Sequence, residues 1–211
     1  MFITSRPGQI NLVCVVLVAS LVMSSGFGVA WSEEQPSAEQ IIRALKPAKI
    51  TRGITASPAD AARQAEETHY VETLRKRANR SLTIDEREQV VAIVKKKPGV
   101  DLEINFEYDS AVIGSKAAPQ VTALAQALAS KELRDGTFLL AGHTDGKGNE
   151  GYNQALSERR AEAVKRFLTE RYGMDASRLV TAGYGKTNLK NSADPFSAEN
   201  RRVRVVNMSD K

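Results

Sequence analysis

Residues 138–173 read FLLAGHTDGKGNEGYNQALSERRAEAVKRFLTERYG, and the way this stretch divides decides the fold. FLLAG (Phe138–Gly142) is a short apolar run of strand length. Gly146 and Gly148 then let the chain turn sharply, carrying Asp145 at the strand's end. From Tyr152 to Tyr172 apolar residues recur at helical spacing, and Gly173 follows where a left-handed C-cap belongs.

Working outward, VDLEINFEY (residues 100–108) alternates fully. Val100, Leu102, Ile104 and Phe106 share one face, and Asp101, Glu103, Asn105 and Glu107 the other, which is a strand buried on one side. Ala117–Lys131 carries Val121, Leu124, Ala125 and Leu128 at helical spacing, and Arg178–Gly183 and Arg202–Met208 read as two more strands. The order βαβαββ predicts an α+β two-layer sandwich, with two helices on one face of a four-stranded mixed sheet. That domain occupies residues 100–211.

Residues 31–99 are different in character. Ser37 with Gln40, and Thr83 with Glu86, fit capping boxes that open short helices. The first helix should stop before Pro47 and the other before Pro98-Gly99. Residues 47–60 read as a loop, and Ala61–Arg77 as a charged helix with few apolar anchors, Val71 and Leu74. These segments are too thin to bury a core alone, so 31–99 is a helical and irregular arm, either a spacer or a partner-binding element.

The first thirty residues form a further unit. Arg6 precedes the apolar run Leu12–Met23 (LVCVVLVASLVM), and small residues lead to Ala30, as in a secretory signal peptide cut after Ala30. An uncleaved transmembrane anchor is the alternative, although Ser24, Ser25, Gly26 and Gly28 interrupt the apolar stretch. Cys14, the single cysteine, lies inside this signal. Without it the chain has no thiolate chemistry, disulfide or cysteine-ligated zinc. The formal charge of +5 comes from 30 basic and 25 acidic residues spread among each other. That is a solvated surface rather than a nucleic-acid stripe, although it favours anionic polymers or membranes.

On a helical wheel started at Tyr152, the apolar arc is centred near about 85°, with Arg160 at about 80° and Asn153 at about 100°. Glu158, Glu162, Lys165 and Arg166 fall on the opposite, solvent side. A guanidinium aimed at a core costs several kcal/mol, on the order of the burial penalty of any unpaired ion, unless a carboxylate and further acceptors meet it. Asp145 is its natural neighbour. Two readings follow. Asp145 and Arg160 form an internal ion pair, the commoner arrangement on spacing alone, or with Asn153 they line a pocket for a zwitterion. In that pocket the carboxylate takes an ammonium and the guanidinium a carboxylate.

GHTDGKGNEGYNQALSERRAEAVKRFL resembles the OmpA-like domain family, the C-terminal regions of OmpA, Pal and MotB. The family pattern is a TD-x-x-G turn followed by N-x-x-L-S-x-x-R-A-x-x-V-x-x-x-L. Thr144, Asp145, Gly148, Asn153, Leu156, Ser157, Arg160, Ala161, Val164 and Leu168 fill every fixed position. The similarity runs from about Leu102 to Asn207 and includes FEYDSA (Phe106–Ala111), GYG (Gly183–Gly185) and NRRV (Asn200–Val203). The resemblance implies non-covalent peptidoglycan binding through the diaminopimelate of the peptide stem. It implies Asp145 and Arg160 as principal contacts, with Asn153, Thr144 and the Asp109-Ser110 corner lining the pocket.

One departure stands out. Leu189 occupies a place after GYG where the family usually has proline, so the loop Thr187–Glu199 is expected to run differently and alter the pocket rim. Asn200-Arg201-Arg202 reads as structure and surface charge first. The signal peptide implies export to the periplasm, in association with the outer membrane or cell wall, and no enzymatic activity, cofactor or metal is expected.

His69 and His143 have no metal-ligand spacing, and His143 reads as hydrogen-bonded structure. Asp109 with Asp145 could serve acid/base hydrolysis, but an arginine beside Asp145 would keep that acid ionised. Two other roles stay open: an envelope adaptor whose protein partner binds the 31–99 arm, and an uncleaved, MotB-like inner-membrane component. The latter lacks the ionisable group in the apolar segment that proton coupling needs.

Overall fold

The structure, a computed structural model, describes residues 35–47, 57–76, 82–104, 106 and 109–209. The signal segment 1–30 and most of the 47–60 loop lie outside them. Helices α1 (Ala38–Leu45), α2 (Pro58–Lys76) and α3 (Ile84–Val94) precede strand β1 (Gly99–Leu102). Then come α4 (Ala118–Leu128), β2 (Phe138–Gly142), α5 (Glu150–Tyr172), β3 (Leu179–Gly183) and β4 (Val203–Asn207). The strands form one mixed sheet in the order β1-β4-β2-β3, with β2 and β3 parallel and the other pairs antiparallel. A parallel neighbour requires a crossover, and α5 supplies it.

Local chemistry sets the helix ends. Ser37 Oγ accepts from the Gln40 N–H at 3.3 Å while the Gln40 side chain takes the Ser37 N–H at 2.7 Å. Thr83 and Glu86 repeat the box at 3.3 and 2.9 Å. Asn149 caps α5, its Oδ1 accepting from the Tyr152 N–H at 2.8 Å. Gly173 ends that helix at φ 63°, in the left-handed region expected of it.

Every residue of β2 is buried because the sheet is covered on both faces. Phe138 and Leu140 face α4 and α5, in a core with Leu124, Leu128, Val164 and Leu168. Leu139 and Ala141 face the other way, with Val71 and Leu74 of α2 and Val90 of α3. The sandwich of sheet and two helices is as the βαβαββ order predicts, and the arm adds to it on both sides. Ile41 and Leu45 of α1 join the α4 side, and Asn207 Nδ2 donates to the Leu45 carbonyl at 3.1 Å.

Strand β1 is shorter than the alternation suggests. Its partner β4 begins at Val203, opposite Leu102, and the preceding Ala198–Asn200 turn offers no ladder. Past Leu102, tight bonds from Ile104 N–H to Leu102 O and from Phe106 N–H to Ile104 O replace it, at 3.0 and 2.9 Å. Leu102, Ile104 and Phe106 all still pack on the α4–α5 core. The face assignment thus holds where the strand does not.

On α5 the buried face is as the wheel places it, but Glu162 and Lys165 are not on a solvent face. Lys165 is buried, and the Glu162 carboxylate accepts from the Thr181 hydroxyl. The helix lies over the β3 edge, so a flank that a wheel assigns to solvent meets a strand instead.

His143 continues the Leu139–Ala141 face. It is buried and stacks on Tyr184 at 5.6 Å between ring centroids. It is not the hydrogen-bonded histidine expected: among the described residues neither ring nitrogen has a partner. Burial, with Arg202 and Arg204 adding to it, pushes its pKa down to about 3. The folded protein therefore keeps His143 neutral, while the unfolded chain takes up its proton below about pH 6.5. This contribution to stability is complete above that pH and falls as pH drops toward 3, at about 1.4 kcal/mol per pH unit. His143→Phe should remove that slope from urea-unfolding energies measured between pH 4 and 7, leaving only the dependence due to the carboxylates.

Candidate functional site at the β2–α5 turn

The site rests on a close approach of helix to sheet. Gly142 and Gly183 are partners across the parallel strands, and Ser157 of α5 sits directly on both. A Cβ on Gly142 would lie 2.8 Å from the Ser157 carbonyl carbon and closer still to its oxygen. One on Gly183 would lie 2.6 Å from Ser157 Oγ and 2.7 Å from the Glu158 nitrogen. Ser157 Oγ donates to the Gln154 carbonyl at 2.8 Å and accepts from the Gly185 N–H at 2.9 Å. The first turns of α5, and Arg160 one turn beyond Ser157, are thereby fixed against the strand ends.

The β2–α5 turn is pinned at several points. Thr144 N–H donates to Gly185 O at 2.9 Å and Gly146 N–H to Pro195 O at 2.7 Å. Asn153 is buried, and its Nδ2 donates to the Lys147 carbonyl at 2.8 Å, tying the turn to the helix. Gly148 takes φ 90°, which only glycine adopts readily. Thr144 is also buried, and its hydroxyl has no partner among the described residues.

Three segments bring charge together here. Arg160 is 7% exposed; its Nε donates to the Ser110 carbonyl at 3.1 Å, and its guanidinium lies 5.0 Å from the centre of the Phe106 ring. Asp145, whose side chain is 18% exposed, pairs not with Arg160 but with Arg201, at 3.0 Å. Its other oxygen accepts from the Lys147 N–H at 3.2 Å. Burial lowers the Arg160 pKa, Arg201 adds to the effect and Asp145 opposes it, so the three charges share one field. The corner Asp109-Ser110 closes the far side: Asp109, at φ 51°, accepts from the Tyr152 hydroxyl.

The structure therefore gathers Asp145, Arg160, Asp109 and Ser110 around the turn and gives Asn153 a bracing task. Sequence reasoning missed Arg201 and the Phe106 ring. Adjacent Arg201 and Arg202 point to opposite faces: Arg202 is buried and binds Asp101 at 3.1 Å on the α2–α3 side. Period-2 alternation entering β4 was the signal that could have separated them.

Residues 105–203 match the model of the OmpA family. The C-terminal half of this chain is an OmpA-like domain. Outer membrane porin F of Pseudomonas aeruginosa is 34% identical over 104 residues, covering 49% of this chain and 29% of that protein. The peptidoglycan-associated lipoprotein of the same organism is 38% identical over 102 residues, 47% of this chain and 58% of that protein. Among solved structures, the peptidoglycan-associated lipoprotein from Burkholderia pseudomallei is similar at 28% identity and TM-score 0.42, over 55% of this chain and 92% of that one. The chain spans between 29% and 51% of the length of three curated relatives it matches. The matched stretch begins just after β1 and contains the residues that build the charged turn.

Proposed function

We propose that the OmpA-like domain binds peptidoglycan non-covalently through the diaminopimelate zwitterion of the stem peptide, anchoring an exported envelope protein to the wall. Asp145 takes the ammonium and Arg160 the carboxylate. The observation that carries this reading is how the charges at the turn pair: Asp145 is taken by Arg201, and the more buried guanidinium, Arg160, is held among the described residues by a carbonyl and an aromatic ring. A buried guanidinium so held has its fork fixed for a planar anion, the bidentate arrangement that recognises carboxylates. Arg201, 46% exposed, holds Asp145 in place and can share it with an incoming ammonium, because a carboxylate accepts about four hydrogen bonds.

The names of relatives agree with this reading, since two of them are called peptidoglycan-associated lipoproteins. The task is binding rather than catalysis, and the place is the periplasm. Among the described residues no helix is long and apolar enough to cross a membrane.

Sedimentation with purified sacculi tests the proposal. Wild-type protein should pellet with the wall, and Asp145→Asn, which keeps an oxygen for the Lys147 N–H but drops the charge, should stay in the supernatant with an unchanged circular dichroism spectrum. Equal pelleting of the two proteins would remove the zwitterion grip.

A further inference from the structure

Five large apolar side chains stand exposed among the described residues: Ile84, Val112, Tyr152, Tyr172 and Phe196. Three of them, Val112 at 69%, Tyr152 at 39% and Phe196 at 65%, belong to the three segments that build the charged site. The Val112 N–H donates at 3.0 Å to the hydroxyl of Ser110, whose carbonyl takes Arg160. Tyr152 is tied to Asp109. Phe196 follows Pro195, whose carbonyl takes the Gly146 N–H. Single exposed apolar residues need no explanation, but three on the segments that meet at one polar centre match the composition of a ligand site.

Phe196 is also presented on a fixed base. The fully buried Asn200 donates from Nδ2 to the carbonyls of Asn191, Asp194 and Pro195, at 3.2, 3.0 and 3.1 Å. Its Oδ1 accepts from the Asn191 N–H at 2.9 Å, and Phe196 N–H donates to Asp194 Oδ1 at 3.1 Å. A loop held by so many bonds loses little freedom when its tip is covered, so an aromatic displayed on it binds at low entropic cost.

We infer that this apolar rim is a second subsite, which takes a pyranose ring of the glycan that bears the stem peptide, with Phe196 as the stacking face. The inference rests on the reading of Asp145 and Arg160 as the peptide grip. It adds a saccharide contact to that grip, and a different part of the ligand reports on it. A pyranose is uncharged and has one face of C–H groups, which suits the electron-rich face of an aromatic ring. Phe196 has no polar group to satisfy and is the most exposed of the aromatic side chains on the rim.

The test compares two probes by calorimetry with the full chain: a disaccharide–peptide muropeptide carrying diaminopimelate, and the same peptide freed of its sugars. Phe196→Ala should weaken muropeptide binding roughly fivefold, the scale of one aromatic contact, and leave the free peptide unchanged. Phe196→Trp should retain muropeptide affinity. Equal loss on both probes would place Phe196 on the peptide and overturn the saccharide subsite, and so would no loss on either. A wild-type protein that binds the muropeptide in a Phe196-dependent way but ignores the free peptide would keep the rim and sink the zwitterion grip. Binding of neither probe would end both.

Discussion

Arg160→Met should cut affinity for a diaminopimelate-bearing muropeptide by about a hundredfold or more, the scale of losing one partner of a buried charge pair at an interface. The variant's unfolding midpoint should stay at or above that of the wild type. The two effects part because the proposed grip gives Arg160 to the ligand rather than to the fold. Its guanidinium is taken out of water, with a carbonyl and the Phe106 ring for company, and Asp145 is engaged by Arg201. Replacing such a desolvated ion with an apolar side chain of similar length relieves a burial penalty and keeps the packing against Phe106. Arg160→Lys should fall between the two, because an ammonium keeps the charge and loses the planar fork. Calorimetric titration and urea unfolding on the same preparations check both halves. A midpoint that collapses along with the affinity would make Arg160 a structural ion and leave the ligand unexplained.

Gly142→Ala should be the most damaging single substitution in the OmpA-like domain, costing about 3 kcal/mol or more, at or above the usual cost of overpacking. The added carbon would meet the Ser157 backbone, which cannot rotate away as a side-chain tip would. Either α5 lifts off β2 and β3, opening the core around Val164 and Leu168, or the strand end shifts and breaks its register with Gly183. For a domain of this size that loss corresponds to a fall in melting temperature of roughly 10 °C. Differential scanning calorimetry reads it directly. A near-wild-type melting temperature would show that the helix can slide at this point, and the pocket would lose its claim to a fixed geometry.

Much of the fold was legible in the chain because its signals are local. Both capping boxes, the Gly173 stop and the FLLAG strand follow from nearest-neighbour chemistry and from side-chain period, and all appear as read. The α5 wheel placed Asn153 and Arg160 on the buried face, where they are. What the sequence could not show depends on partners distant along the chain. The end of β1 is set by where β4 begins, and Glu162 finds its place only because Thr181 arrives a strand later. The fate of the arm was equally invisible, since Val71, Leu74 and Val90 are too few to announce which sheet they cover. At the site, spacing linked Asp145 with Arg160, but the ion pair is made by Arg201, brought in from 56 positions away. Alternation can put the two arginines of NRRV on opposite faces, but neither carries a mark of the carboxylate it will meet.

The second face of the sheet changes what residues before Gly99 mean. Leu139, Val180, Val206 and Met208 face α2 and α3; stripped of those helices, they would be a bare oily wall. The stretch matched to the OmpA family is therefore not a finished module with luggage attached. It is a box whose back panel is made by the preceding segment, and any tug on that segment reaches β2, which leads to Asp145, and β4, which Arg201 precedes.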